Sequence, residues 1–136
     1  MRINPHRSFN GQCREAFKFY EKHLGGKITL MMTWGESPIG TRASPDQSDK
    51  ILHASLTVGQ DVLAGADAPP GHFRQPQGFA VTLDIAEAAE ADRVFAALAE
   101  GGTVQMPMQE TFWALRFGML IDRFGTPWMI NCGRPA

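Results

Sequence analysis

Three polar side chains between Ile51 and Val58 raise the first chemical question. His53, Ser55 and Thr57 alternate with Leu52, Ala54, Leu56 and Val58. That is the period-two pattern of a half-buried strand, so the polar groups share one side. An imidazole on such a face can serve as a general base or a hydrogen-bond donor. The competing assignment is a structural histidine bonded to a neighbouring strand or loop. Glu110 stands just before Phe112-Trp113. A carboxylate whose aromatic neighbours exclude water has a raised pKa, which suits proton transfer. As an ordinary loop residue it would instead pair with Arg116. Arg116 itself can grip an anionic group bidentately or form a surface salt bridge. Trp34 and Trp113 can stack on a planar ligand, whereas Trp128, opposite in parity to Met129, is assigned to packing. His23 and His72 fall on a helix end and a linker and receive no role. Cys13 and Cys132 are far apart with no Cys-x-x-Cys spacing. They read as small core residues rather than a disulfide or zinc ligands.

The elements that must position these groups occur in the same order twice. Residues 2–9 read as a strand broken at Asn10-Gly11. Cys13, Ala16, Phe17, Tyr20 and Leu24 then fall at helical spacing. Gly25-Gly26 ends that helix, residues 27–34 form a strand, and residues 35–50, rich in Gly, Ser, Pro and Asp, form a long loop. A strand at 51–58 turns at Gly59-Gln60-Asp61 into another at 62–66. A Pro-rich linker, 67–77, follows. In the second half, Phe79, Val81 and Leu83 mark a strand, and Asp84 with Glu87 resembles a capping box. Ala88, Ala91, Val94, Phe95 and Leu98 mark a helix that Gly101-Gly102 ends. Strands follow at 103–106, running on into Pro107, at 112–122 and at 127–132, with a turn at Arg123-Phe124-Gly125.

The expected architecture is α+β: one domain, 1–136, of two βαβββ modules, about 1–68 and 77–136. Each module would be a curved mixed sheet of four strands with one helix on its convex side, and the two sheets would face a central cavity. Leu52, Ala54, Leu56 and Val58, with Phe79, Val81 and Leu83, would face the helices. His53, Ser55, Thr57, Ala80 and Thr82 would face the cavity.

Composition narrows the function classes. The chain has 136 residues, 43% hydrophobic and 20% charged, with a formal net charge of −1, an ordinary globular composition. Neither half is basic enough to predict phosphate binding, so no nucleic-acid partner is expected. No apolar run is long enough to span a bilayer and the first residues lack a signal peptide's apolar stretch. A cytoplasmic location and no membrane partner are therefore expected.

Residues along most of the chain carry a family resemblance. They are Phe9-Asn10-Gly11-Gln12-Cys13 with Phe19-Tyr20, Leu24-Gly25-Gly26, Trp34-Gly35-Glu36 and His53-Ala54. The longest block is Gln109-Glu110-Thr111-Phe112-Trp113-Ala114, continuing through Phe117-Gly118, Asp122, Phe124-Gly125 and Pro127-Trp128-Met129-Ile130-Asn131. Together they resemble the PhnB-like branch of the glyoxalase/bleomycin-resistance/dioxygenase superfamily, also called vicinal oxygen chelate. The resemblance implies a small-molecule ligand, a homodimer, and a site that Glu36 approaches. It also implies a divalent metal acting as Lewis acid, held at four positions. Those positions fall here at Pro5, near Leu63 or Ala64, at Gly78 and at Met129, and none offers an oxygen or imidazole ligand. No metal cofactor is therefore expected, unless His6, one residue from the first position, joins His53 and Glu110 in a nonstandard site.

Three functions follow from the resemblance. The first is a cavity-binding protein, with or without lyase, isomerase or oxygenase activity. Its candidate catalytic residues are His53 and Glu110, and its candidate binding residues are Trp34, Glu36, Ser55, Trp113 and Arg116. The second is a ligand-sequestering protein of the bleomycin-resistance kind. The third is an interaction module whose sheet edges pair with another copy. The branch is also described as demethylubiquinone methyltransferase-like. The glycine-rich nucleotide turn expected of such an enzyme is missing from the sequence, so methyl transfer is not expected.

Overall fold

A computed structural model describes residues 1–38 and 44–134; residues 39–43 of the expected 35–50 loop lie outside the described residues. The first unit, Met1–Arg74, contains β1 (His6–Phe9), α1 (Cys13–Leu24), β2 (Lys27–Thr33), β3 (Ile51–Val58) and β4 (Asp61–Asp67). Its sheet has the order β1-β4-β3-β2, with β1 parallel to β4 and the other pairs antiparallel. The second unit, Gln75–Ala136, contains β5 (Val81–Asp84), α2 (Ala88–Ala99), β6 (Thr103–Gln109), β7 (Ala114–Ile121) and β8 (Pro127–Gly133). Its order, β5-β8-β7-β6, repeats the first, again with one parallel pair, β5 with β8. The α+β architecture of two four-stranded mixed sheets, each with one helix, is thus the one the sequence predicts.

Each helix lays its apolar stripe on one face of its own sheet. From α1, Cys13, Ala16, Phe17, Phe19 and Tyr20 are buried, meeting Phe9, Ala54, Leu56 and Leu63 from the strands. Phe9 packs edge-on to Phe17, with ring centroids 6.0 Å apart. From α2, Ala91, Val94, Phe95 and Leu98 are buried with Leu120, Trp128, Ile130 and Cys132 of the second sheet. Burying side chains of this size stabilises by roughly 1.5–3 kcal/mol each before entropy is subtracted.

The two glycine pairs do more than end helices. Gly25 and Gly101 have positive φ, 70° and 75°, the left-handed turn that glycine adopts at least cost. Gly26 and Gly102 serve close approach instead. A Cβ on Gly26 would lie 2.7 Å from the Thr57 carbonyl oxygen, and one on Gly102 would collide with that of Ile121. Each pair therefore turns the chain out of its helix and presses the next strand's start against the end of the neighbouring strand.

Several expectations need correction. The first strand starts at His6 rather than residue 2. The Asp84–Glu87 capping box does not form: the residue before α2 makes no side-chain cap, and Asp84, still in β5, accepts a hydrogen bond from Asn131 Nδ2. Opposite Met32-Thr33, β3 advances from His53 to Ile51 while β2 moves by one residue. This bulge buries Ile51 and leaves Leu52 half-buried, reversing the parity expected there. Phe79 precedes β5 and is 48% exposed, so it does not join Val81 and Leu83 against the helix. Among the described residues no helix is long and apolar enough to cross a membrane.

Candidate functional site

In the first unit, the sheet face turned away from α1 carries the polar groups. His6 is opposite Ala64, and Ala64 is opposite Ser55, so His6, Ala64 and Ser55 form one row across three strands. Arg7 and Phe9, of the opposite parity, are buried on the helix side. His53 lies on the face of Ser55, since the buried Ala54 separates them along β3. His6, not Pro5, is thus the β1 residue that reaches this face, and Pro5 uses its carbonyl to accept the Ala64 N–H. The His6 imidazole has its pKa lowered, first by partial burial and then by the charge of His53. Both effects favour the neutral ring, which can accept a proton.

Buried polar groups anchor this face from behind. Asp67 accepts the Cys13 N–H at 3.0 Å and the Ile51 N–H at 2.8 Å. A carboxylate at the start of α1 meets the unsatisfied N–H groups and the positive end of the helix. It replaces the cap that Gln12 does not make with its side chain. Arg7 stacks its guanidinium 4.2 Å from the Phe9 ring centroid.

The remaining first-unit candidates serve the turn after β2. Glu36 accepts hydrogen bonds from the Thr33 backbone N–H and hydroxyl, at 3.1 and 2.8 Å. Those bonds lower its carboxyl pKa and tie the side chain into a local turn. Trp34 is half-buried, and its Nε1 is buried without a hydrogen-bond partner among the described residues.

In the second unit the charged candidates turn elsewhere. Arg116 is paired with Cys132 in the ladder, and Cys132 is buried, so its side chain reaches the helix side and binds Asp92 of α2 at 2.8 Å. Glu110 pairs with Arg134 at 2.9 Å rather than with Arg116. Its side chain is 67% exposed, so Phe112 and Trp113 do not shield it from water. Those two rings pack edge-on, 4.9 Å apart, and Trp113 meets Phe117 at 5.3 Å. Phe112 is 89% exposed and Trp113 47%.

A cleft of about 360 Å³ in this unit is lined by Gly78, Ala80 and Met129, which the sequence reading put on the cavity side, and also by Gln77, Gln105 and Met119, which it did not single out. Met119 and Met129 are cross-strand partners. Their shared parity with Ile121, opposite to Leu120 and Trp128, was the readable signal. Among the described residues no group of three or more His, Cys, Asp or Glu is placed to hold a metal ion.

Residues 1–131 match the family described as 3-demethylubiquinone-9 3-methyltransferase. The chain is 34% identical to protein YjdN of Escherichia coli (strain K12), over 96% of this chain and 95% of that protein. The crystal structure of protein PA1353 from Pseudomonas aeruginosa is 46% identical, with a TM-score of 0.91 and 99% of each chain covered. A PhnB protein from Bacillus cereus has the same fold at 22% identity, with a TM-score of 0.82 over 98% of this chain and 100% of that one.

Proposed function

From the premise that the chain belongs to the PhnB-like family, in the glyoxalase/bleomycin-resistance/dioxygenase superfamily, we propose that it binds a small molecule. The reading places His53, His6 and Ser55 as the polar contacts, with an imidazole as proton acceptor if the bound molecule is also transformed. The observation that carries it is the row His6, Ala64 and Ser55 across three strands, with His53 on the same sheet face.

The superfamily's divalent metal does not fit this donor set. His6 supplies one nitrogen ligand, but Ala64, Gly78 and Met129 stand at the other positions, and hard divalent ions require oxygen or imidazole donors. The methyltransferase description of the matching family belongs to that family. Nothing in the arrangement of His6, His53 and Ser55 supports methyl transfer by this chain.

Native mass spectrometry and elemental analysis of the purified protein, followed by thermal shifts with a metabolite panel, test the proposal. A saturable stabilisation that His53→Ala weakens supports it. Stabilisation that His53→Ala and His6→Ala both leave intact overturns it, and a stoichiometric divalent metal overturns the expectation of no metal. Product formation lost in His53→Ala would make the protein an enzyme, and ligand retention without product would make it a sequestering protein.

A second reading, self-association as a homodimer, is favoured by exposed Phe112 and Trp113 and by the β2 and β6 edges, which carry no further strand among the described residues. Light scattering after size exclusion decides it: a monomer at all concentrations rejects this reading.

A further inference from the structure

The 360 Å³ cleft of the second unit is lined differently from the histidine face of the first. Among the described residues no Lys, Arg, His, Asp or Glu contributes to its wall; the polar side chains there are those of Gln77 and Gln105. Met119 and Met129, paired across β7 and β8, line it with Ile121. Phe79 lines it too and is half-exposed. The indole N–H of Trp128 is already committed to Asp122, so Trp128 offers the cleft no free donor.

We infer that this cleft is a binding site for a neutral, flat, predominantly apolar molecule carrying one carbonyl or hydroxyl oxygen. The inference rests on the reading of the chain as a small-molecule binder and adds the ligand chemistry that the second unit's own cleft would select. An ionised ligand placed here would lose water and gain no opposite charge, which is costly. A neutral ring loses little. Unbranched thioether side chains adapt to its shape and make favourable sulfur–aromatic contacts, and the amide of either glutamine can donate to one oxygen or accept from one hydroxyl. The volume lies near the lower end of small-molecule pockets, which span roughly 300–1,000 Å³. That suits a ring system with short substituents rather than a long chain.

The test uses two fluorescent probes on the full chain. Nile red is neutral and planar; anilinonaphthalene sulfonate is apolar but anionic. Nile red should saturate at one equivalent and at lower concentration than the anionic dye. Met129→Lys should weaken Nile red by at least about tenfold, because an unpaired ammonium would enter the apolar wall. Gln105→Glu places a charge at an exposed position and guards against a folding failure of the first variant. It should weaken Nile red too, while Met119→Leu retains binding. Tighter saturation by the anionic dye, or unchanged Nile red affinity in Met129→Lys and Gln105→Glu, overturns the inference and leaves the small-molecule reading standing. No saturable binding of either dye, with no co-purified molecule and no stabilising metabolite, overturns both.

Discussion

Trp128 donates its indole N–H to Asp122 Oδ2 over 2.8 Å, deep inside the second unit. The other carboxylate oxygen accepts from the backbone N–H groups of Phe124 and Thr126, at 2.9 and 3.0 Å. One side chain therefore shapes the β7–β8 turn and fixes the largest ring of that core. The run Asp122, Phe124-Gly125 and Pro127-Trp128 acquires a structural purpose from this, holding the strands whose other face carries Met119 and Met129. Asp122→Ala leaves three donors unmet in a buried setting, and we expect a loss of about 3–5 kcal/mol of unfolding free energy. Asp122→Asn keeps one acceptor oxygen and should lose less. Urea unfolding of the two variants checks this ranking, and equal stabilities would contradict it.

Asp67 plays the corresponding part in the first unit, joining α1 at Cys13 to the start of β3 at Ile51. Asp67→Ala should cost about 2–4 kcal/mol, combining a lost helix cap with a lost hydrogen bond between elements. Because both bonds span long stretches of chain, amide hydrogen exchange should rise at Cys13 and Ile51 together. Exchange that rises at one alone would show that the carboxylate does not couple them.

Much of this was legible in the sequence, for identifiable reasons. Cys13, Ala16, Phe17 and Tyr20 lie on one helical face whatever the tertiary context, and the alternation of His53, Ala54 and Ser55 fixes which side each takes. The glycine pairs marked both helix ends. What could not be read depended on distance in space. The bulge at Leu52 reverses a parity that the sequence carries unbroken. Glu110 finds Arg134, and Arg116 finds Asp92, because long charged side chains choose partners by three-dimensional proximity. The share of Met119 in the second unit's cleft was hidden by composition, since methionine suits a core as well as a binding wall.

The His6–His53 pair predicts a specific pH response. Burial and His53 lower the His6 pKa below its ordinary value of 6.5, so between that value and the lower folded one the unfolded chain binds more protons. Stability contributed by His6 is then fully present above about pH 6.5 and is lost as pH falls through the window below it. Removing one source of repulsion in His53→Ala should move the His6 titration upward. Imidazole proton NMR measures the shift directly; a midpoint unmoved by His53→Ala would show that the two rings do not interact.

Cys13 answers in the opposite direction. It is fully buried at the first position of α1. Burial, then the negative charge of Asp67, pushes its thiol from 9.0 up to about 12, against a smaller opposing effect of Arg7. The folded state therefore holds its proton where the unfolded chain has lost it. That contribution to stability is complete below about pH 9 and declines as pH rises toward 12. The thiolate is the nucleophile, so native Cys13 should resist iodoacetamide at pH 8 and react once the chain is unfolded in urea. Peptide mass spectrometry after each treatment locates the adduct. Rapid labelling of Cys13 in the native protein would mean that the thiol is neither buried nor held protonated, and that Asp67 does not stand beside it at the head of α1.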